Sequence, residues 1–267
     1  MAKRPFDIQA QPGFGFVALV TFFALYLPMA ALVAYSFNAA DSLSRWDGFS
    51  LRWFISAWHN SAVQDASVRS LVLAISAAAL STIVATMAAL ATTRTPPYPG
   101  LTFKYAFINQ PLMVPEIVTG VALLIVFSRI KVWTGYSGLG YLIAAHTAFC
   151  IPFAYLPIRA RLESMDLTLE RAAADLYATP WKAFRFVTLP LLRPAIIAGL
   201  MLAFVISLDD VVITEFVKSG GQDTLPTYML GQLRRETSPE INAIATVFLA
   251  LSVVLVTVFY FVNRRKP

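Results

Sequence analysis

Long runs of apolar residues dominate the pattern of hydrophobic and polar positions along the chain. Six of these runs reach about 20 residues, the length of helix that spans a hydrocarbon core at 1.5 Å per residue. They lie at about 14–37, 70–91, 105–128, 138–158, 191–217 and 241–262. We predict that all six are helices, since any other backbone would leave unpaired polar groups facing lipid.

The loop between the first and second runs predicts a short helix of its own. Leu51, Phe54, Ile55 and Trp58 follow the i, i+3, i+4, i+7 spacing of one helix face. An apolar stripe rich in Trp and Phe at an outer surface is typical of an interfacial anchor, and contact with an external partner is the alternative.

The loop at 159–189, between the fourth and fifth runs, predicts a helix, a break and a second helix. Asp166 or Thr168 can cap the first helix, and Thr179 followed by Pro180 is a typical start for the second. An apolar stripe follows the first helix: Leu169, Ala173 and Leu176, with Ala172, Tyr177 and Trp181 beside them. Such a helix either packs on its own bundle or docks a cytoplasmic partner.

Composition supports a membrane protein and excludes other classes. Of the 267 residues, 58% are hydrophobic and 13% are charged, and the mean hydropathy is +0.66. Soluble domains carry about twice that charged fraction, and disordered chains are far less apolar. The single cysteine, Cys150, excludes an internal disulfide framework.

Basic residues predict the orientation in the membrane. The first run follows Lys3 and Arg4 and is longer than the apolar part of a signal peptide, so we expect a retained helix. With both termini in the cytoplasm, 13 of the 21 Lys and Arg residues lie on the inner side, including the NRRK tail. The net charge of +6 then reflects orientation, and no nucleic-acid partner is predicted.

Four acidic residues lie within or at the ends of the apolar runs. Glu116 belongs to the third run, and Asp209, Asp210 and Glu215 belong to the fifth. A charge at mid-membrane costs about 2.5–3.5 kcal/mol, so such residues usually face a bundle interior or a watery cavity. On a continuous helix Asp209 and Asp210 point about 100° apart. We therefore expect one to face a cation path while the other caps, pairs or contacts a neighbouring helix.

Two alternatives qualify this interpretation. The acids can instead form structural ion pairs with Arg193, Arg129 or a second subunit, and Glu215 can simply reach the lipid headgroups at the outer end.

His146 and Cys150, four residues apart, share one helix face and suggest a metal pair. With no third ligand nearby, we predict a hydrogen-bonded histidine and a core cysteine.

A short internal echo relates the third and fifth runs. PLMVPEIVTGV at 111–121 and PLLRPAIIAGL at 190–200 share five residues in register, including both prolines. Proline removes backbone hydrogen bonds, so we expect a break or bend near the entry of each helix, as in the interrupted helices that line transport paths. Equal depth would place Glu116 about 21 Å to the cytoplasmic side of Asp209, at 1.5 Å per residue.

The inner loop resembles the signature of importer-type ABC permeases, in which Glu-Ala-Ala, then Gly, then Ile-x-Leu-Pro mark the helix that docks on the ATPase. Ala172 and Ala173 match the alanines, and Leu189 and Pro190 match the closing Leu-Pro. Val187 stands for the Ile of the closing motif, Arg171 stands where Glu is usual, and Tyr177 stands where Gly is usual. These departures leave the turn and the ATPase contact open.

Much of the remaining chain is similar to the second permease of the spermidine/putrescine importers. The similar stretches are YSFN at 35–38, PLMVPEIVTG at 111–120, AHTAFCIPFAY at 145–155, SLDDVVITEFVKSGG at 207–221 and the SPEINA motif that follows. The resemblance implies an all-α integral membrane protein with the type I ABC importer permease fold: one permease domain over 1–267, six transmembrane helices and a cytoplasmic coupling helix between helices 4 and 5.

The resemblance also implies a function and partners. The chain would be a permease subunit and not an enzyme, in a multi-pass bacterial inner-membrane complex that imports a polyamine. It implies a second homologous permease, two ATP-binding cassette subunits that hold ATP and Mg, and a periplasmic binding protein, with no cofactor in this chain. The expected substrate pathway is Glu116, Asp209 and Asp210. The expected ATPase-coupling residues are Ala172, Ala173, Tyr177, Leu189 and Pro190.

Three other functions are weighed against this one. Another amine or an amino-acid derivative would suit the same path. A self-sufficient secondary transporter would use the acids as proton sites, although it leaves the inner-loop helices unexplained. The third function, an intramembrane enzyme, is not supported, because the sequence has no Ser/His/Asp or multi-His constellation at helical spacing. The chain also has no GxxxxGK[ST] phosphate loop, so energy from ATP must come from partner subunits.

Overall fold

A computed structural model describes residues 13–42, 45–96, 98–235 and 239–264, and this part of the chain is helical throughout apart from its loops and one isolated bridge between Asn38 and Phe49. The helices are α1 (Phe14–Ser36), α2 (Arg52–His59), α3 (Ser61–Thr93), α4 (Leu101–Ile108), α5 (Gln110–Met113), α6 (Glu116–Thr134), α7 (Gly140–Ser164), α8 (Thr168–Asp175), α9 (Pro180–Ala183), α10 (Leu189–Asp209), α11 (Val212–Val217), α12 (Leu225–Arg235) and α13 (Glu240–Arg264). A π-helical segment, Phe184–Thr188, joins α9 to α10.

Six of the described helical stretches are long and apolar enough to cross a membrane, which confirms the predicted number of spans. They are Phe14–Ser36, Ser61–Thr93, Glu116–Thr134, Gly140–Ser164, Pro180–Asp209 and Glu240–Val258. The predicted bounds are wrong mainly in the third and fifth runs. Lys3, Arg4, Arg265 and Lys266, which contributed to the predicted orientation, lie outside the described residues, as does Ser238 of the SPEINA motif.

The third run is interrupted where the internal echo predicts a break. Residues 105–113 form α4 and α5, and the long helix α6 begins only at Glu116. Val114 and Pro115 between them have extended backbone, with ψ of 138° and 133°. The residue before a proline is pushed out of the helical region, so α5 ends where the sequence requires it to end.

The fifth run breaks at its other end, which the sequence analysis did not predict. Pro194 lies inside α10, which follows the π-helical segment without interruption. The helix instead stops at Asp209, Asp210 has extended backbone with φ −64° and ψ 132°, and α11 starts at Val212. Asp209 and Asp210 therefore do not share one continuous helix.

The chain divides into two compact units. The first comprises residues 1–60 and 232–253. Within it, α1 is exposed along nearly its whole length, with Ser36 its one buried residue. The loop after α1 is organised by the buried Asn38, whose Oδ1 accepts hydrogen bonds from the backbone N–H groups of Ala40 and Asp47. The helix α2 follows, as its apolar stripe predicts.

The second unit comprises residues 61–231 and 254–267 and contains a core in which α3, α7 and α10 pack against one another. Small side chains allow the close approach: Ala74, Ala77, Ala85 and Ala89 of α3 are fully buried. On α10, a Cβ at Gly199 would lie 2.8 Å from the backbone oxygen of Ala154 in α7. Glycine at this position is therefore required by the distance between the two helices.

Within the same unit, α6 packs against the short helix α11. A Cβ at Gly120 of α6 would lie 2.8 Å from the ring of Phe216 in α11. At the far end of α6, the Lys131 ammonium donates to the carbonyl oxygen of Val217 at 3.1 Å and to Ser219 Oγ at 2.9 Å. These contacts fix the break after α10 beside the first turns of α6.

Candidate substrate pathway and coupling segment

The break between α10 and α11 is stabilised by the carboxylate of Asp210. Its Oδ1 accepts from the backbone N–H of Ile213 at 3.2 Å, and its Oδ2 accepts from the backbone N–H and the hydroxyl of Thr214, both at 2.8 Å. These N–H groups belong to the first turn of α11, where no intrahelical acceptor exists. Asp210 is buried and caps α11, which explains why the helix restarts immediately after it.

His146 of α7 lies next to the break between α10 and α11 and contacts residues on both sides of it. It is fully buried, with Nδ1 2.8 Å from Ser207 Oγ and Nε2 3.0 Å from Thr214 Oγ1. Its Nε2 also lies 3.4 Å from Asp210 Oδ2. The predicted hydrogen-bonded histidine is confirmed, and the buried Cys150 donates weakly from Sγ to the Ala203 carbonyl at 3.5 Å. No local pattern predicted the contact between His146 and Asp210.

Glu116 lies beside Asp210 and therefore near the neighbouring Asp209, from which equal depth predicted a separation of about 21 Å. The two carboxyl groups are within hydrogen-bonding reach of each other. The prediction was wrong because it assumed that the two echo segments are equally deep and that the fifth run is one helix. The late start of α6 and the packing of α6 against α11 instead bring the first residue of α6 to the break.

Asp209 differs from its neighbour in its surroundings. Its side chain is exposed, whereas Asp210 is buried. Within the described part of the chain, no hydrogen bond or ion pair reaches the side-chain carboxylate of Asp209. The expectation that one of the two aspartates caps a helix is confirmed by Asp210, and a path-facing role for Asp209 stays a prediction. The 100° argument behind the expectation fails, because α10 ends at Asp209.

The ion pairs of the described residues test the alternative that the acids have structural partners. Glu215 forms an ion pair with Lys218 at 2.6 Å, and Lys218 also contacts Asp223 at 2.7 Å. Among the described residues, no ion pair joins Glu116, Asp209 or Asp210 to Arg193 or Arg129. The alternative of intramolecular pairing with these two arginines therefore finds no support in the described residues.

The candidate coupling segment, which is the loop at 159–189 and is called the coupling segment below, forms the predicted helix, break and helix. Asp166 Oδ1 accepts from the backbone N–H of Thr168 at 2.9 Å, and this hydrogen bond lowers the pKa of the exposed Asp166 carboxyl. The second helix starts at Thr179 and Pro180, and Thr179 Oγ1 accepts from the backbone N–H of Lys182 at 3.4 Å. The predicted cap at Thr179 is thus observed, whereas at α8 the N-cap position is Leu167 and Asp166 binds only the first backbone N–H of the helix.

The turn between these helices is kept although tyrosine replaces the usual glycine. Tyr177 has φ of +58°, in the left-handed region. The backbone N–H of Ala178 donates to the Ala173 carbonyl at 3.0 Å, and that of Tyr177 donates to the Ala174 carbonyl at 2.9 Å. This pair of bonds is a Schellman motif, which normally has glycine at the left-handed position. A residue with a Cβ costs about 1–2 kcal/mol in this conformation. Other interactions of the segment must therefore offset this cost to keep the turn.

An exposed apolar surface follows from this turn. It consists of Leu176, Tyr177, Trp181 and Phe186, whose exposed fractions are 82%, 97%, 67% and 71%. No residue of α8 is buried. Of the other expected coupling residues, Ala172 and Pro190 are exposed, and Ala173 and Leu189 are half-buried. The apolar stripe therefore does not pack into its own bundle, and we refer to these four residues as the coupling surface.

One ion pair of the coupling segment was not predicted from the sequence. Arg94, just after α3, forms an ion pair at 3.0 Å with Glu170 of α8, and Glu170 also accepts from the hydroxyl of Thr188 at 2.8 Å. Only the position of Arg94, the first charged residue after a long apolar run, was a signal. Its partner lies 76 residues away, a distance that no local pattern covers.

Comparisons with known proteins agree with these features. The sequence model of the family described as "Binding-protein-dependent transport system inner membrane component" matches residues 102–266. The chain is 38% identical to the putrescine transport system permease protein PotI of Escherichia coli K12, over 94% of this chain and 90% of PotI. It is 34% identical to the spermidine/putrescine transport system permease protein PotC of Haemophilus influenzae, over 92% and 95% of the respective chains.

A solved structure shares the fold. A chain of a bacterial ABC transporter involved in the import of the acidic polysaccharide alginate superposes with a TM-score of 0.69 at 14% identity, over 98% of this chain and 99% of that one. The architecture is therefore that of type I ABC importer permeases, as expected from the sequence. With six apolar helices among its described residues and a family match over more than half its length, the chain belongs to the binding-protein-dependent transport system inner membrane components.

Proposed function

We propose that the chain is the permease subunit of an ATP-driven ABC importer that takes up a polyamine, a spermidine- or putrescine-like cation. In this proposal a periplasmic binding protein delivers the cation, and the bundle releases it to the cytoplasm. Hydrolysis of ATP takes place on two ATP-binding cassette partners, and a second homologous permease completes the path. Both termini of this chain lie in the cytoplasm.

The carboxyl cluster of Glu116, Asp209 and Asp210 carries the proposal. Two carboxylates within hydrogen-bonding reach repel each other unless a proton or a cation lies between them. A protonated amine satisfies that requirement, since each ammonium group carries donors and a positive charge. We assign the cation contacts to the half-buried Glu116, whose carboxyl group lies beside that of Asp210, and to the exposed Asp209. Asp210 adds its negative charge and also supports the break that presents the other two side chains.

The relatives support a cationic amine as the substrate. The curated names of PotI and PotC refer to putrescine and to spermidine with putrescine. The fold alone does not select the cargo, because the alginate transporter with the same fold imports an acidic polysaccharide. The acids at the break are the feature of this chain that suits a cation.

The coupling surface supports the ATPase partners. Four large apolar side chains are exposed at the turn of the loop between the fourth and fifth spanning stretches. A patch of this kind in water marks an interaction site. We infer that a groove on an ATP-binding cassette subunit covers it, with Ala172, Ala173, Leu189 and Pro190 shaping the helix and its junction with α10.

Another amine is the second candidate substrate. A putative 2-aminoethylphosphonate permease, PhnV of Salmonella paratyphi A, is 27% identical over 90% of this chain. Calorimetric titration of the cognate binding protein with spermidine, putrescine and 2-aminoethylphosphonate decides between them. Binding of a polyamine in preference to the aminophosphonate supports the proposal, and the reverse order overturns the substrate assignment.

Uptake by variants tests the cation path itself. We expect Glu116→Gln and Asp209→Asn to lower polyamine uptake, while Glu215→Gln, which removes an acid that already pairs with Lys218, serves as the matched control. Wild-type rates and affinities in the Glu116, Asp209 and Asp210 variants together would end the idea of a carboxylate-lined path. Uptake into liposomes that hold this chain without any ATPase would instead favour the proton-coupled transporter.

A further inference from the structure

Arg94 connects the ends of two core helices with the coupling segment. It follows the last residue of α3, and its side chain is 19% exposed. Its Nη1 donates to the carbonyl oxygen of Leu162 near the end of α7 at 3.0 Å, and its Nε donates to Glu170 Oε1 of α8 at 3.2 Å. One guanidinium group thus holds three helices together at one end of the bundle.

Glu170 extends the connection to a fourth element. Its side chain is 21% exposed, and besides Arg94 it binds the hydroxyl of Thr188 at 2.8 Å. Thr188 is buried and is the last residue of the π-helical segment, directly before α10. Arg94, Glu170 and Thr188, which we call the clasp, therefore link α8 to α3, α7 and α10.

The clasp differs from an ordinary surface ion pair. At the same end of α7, Arg159 and Glu163 form an i, i+4 pair at 2.7 Å within one helix, with side chains 27% and 53% exposed. Such a pair adds little beyond local helix stability. The clasp is less exposed, so it is screened less by salt, and it joins residues from separate elements.

Apart from the clasp, α8 has little that anchors it to the bundle. None of its residues is buried, and it is flanked by the stretch 165–167 and by the turn around Tyr177. Without the clasp, α8 would be tied to the core only through its neighbours in the chain, such as Met165, which packs against the core, and the turn at Tyr177. The clasp supplies polar connections to the core helices, and the exposed residues of the coupling surface begin directly after α8.

We propose that Arg94, Glu170 and Thr188 are positioning residues that transmit movement of the coupling segment to the core helices α3, α7 and α10. The inference rests on the proposed function, since it requires an ATPase that moves α8. It adds that transmission runs through this half-buried polar contact as well as through the covalent chain. Loss of the clasp should leave hydrolysis of ATP in place while separating it from transport.

The experiment measures ATP hydrolysis and uptake in the same proteoliposomes, using the complete transporter with its binding protein. The variants are Arg94→Lys, which keeps the charge and loses the fork of donors, and Thr188→Val, which keeps the shape and loses the hydroxyl. We expect both to assemble and to hydrolyse ATP within about twofold of wild type. We expect uptake per ATP hydrolysed to fall by about tenfold in Arg94→Lys and less in Thr188→Val.

A charge exchange adds a sharper test. Arg94→Glu and Glu170→Arg should each uncouple the transporter, and the double variant should recover part of the coupling because the ion pair is restored in reverse. Glu163→Gln, which removes the neighbouring single-helix pair, is the matched control and should couple like wild type. A purely structural role would lower assembly and hydrolysis together and would not change their ratio to uptake.

The outcomes separate the clasp from the proposed function. Normal uptake per ATP in Arg94→Lys and in both charge reversals overturns the clasp and leaves the proposed function intact. Variants that fail to bind the ATPase also overturn it, because the residues would then act in docking. A wild-type chain that never assembles with an ATPase overturns both.

Discussion

The two adjacent aspartates at the break should differ in how the same substitution changes the stability of the protein. Asp210 accepts three hydrogen bonds, two of them from backbone N–H groups of α11, and its side chain is 1% exposed. In Asp210→Asn one carboxylate oxygen becomes an NH₂ group, which cannot accept from a backbone N–H. The Thr214 hydroxyl can rotate to accept from the new amide, but one N–H of α11 is left without an acceptor.

The magnitude follows from that single unsatisfied group. A buried donor without a partner costs about 1–3 kcal/mol. Asparagine is itself a good helix cap, so no larger loss is expected from capping as such. At roughly 2–4 °C per kcal/mol for a chain of this size, the thermal midpoint should fall by roughly 2–12 °C. Asp209→Asn changes an exposed side chain and should alter stability by no more than about 0.5 kcal/mol.

The assay combines thermal stability and uptake. Thermal midpoints are read from the fraction of folded protein that remains on size-exclusion chromatography after heating in detergent, and uptake is measured in proteoliposomes. Asp209→Asn should keep the wild-type midpoint and lose uptake, whereas Asp210→Asn should lower both. Equal midpoints for the two variants, or a larger stability loss for Asp209→Asn, would refute the assignment of Asp210 as the cap.

Three further predictions concern packing and the coupling segment. Gly199→Ala should destabilise the protein by about 1–3 kcal/mol, because its Cβ meets the α7 backbone at 2.8 Å, whereas Gly231→Ala, with open space around its Cβ position, should not; thermal midpoints compare them. Tyr177→Gly should stabilise the turn by up to about 1 kcal/mol in the same assay, and a similar gain from Tyr177→Ala, which keeps the Cβ, would argue against left-handed strain. Trp181→Ala should lower the amount of ATPase that co-purifies, and Trp133→Ala, an exposed tryptophan outside the coupling segment, should leave it unchanged.

The helical framework was readable from the sequence because lipid imposes simple rules. A run of about 20 apolar residues has no alternative to a helix in hydrocarbon, so six runs predict six spans. Local caps were readable too, since Asp166 and Thr179 act on groups two or three residues away. The break at Val114 and Pro115 followed from proline geometry in the same way.

The acidic residues of the site could be predicted from the sequence, but its geometry could not, because that geometry depends on contacts between distant segments. The acids were identified because a charged side chain in a membrane costs free energy. The break at Asp210 was not predicted, because no proline or glycine lies next to it. It results from a carboxylate that caps α11 and contacts His146, 64 positions earlier in the chain. The contacts of Glu116 with Asp210, and of Arg94 with Glu170, likewise join residues that no periodicity relates.

Uptake by reconstituted proteoliposomes tests the central claim most directly. The purified complex of this chain with its permease and ATPase partners is placed in liposomes, the binding protein is added on the side opposite the ATPases, and labelled spermidine or putrescine is followed with and without ATP. The account predicts accumulation that requires ATP, the binding protein and the carboxylates of Glu116 and Asp209. Accumulation without ATP, or ATP-driven uptake that ignores both polyamines, would contradict it.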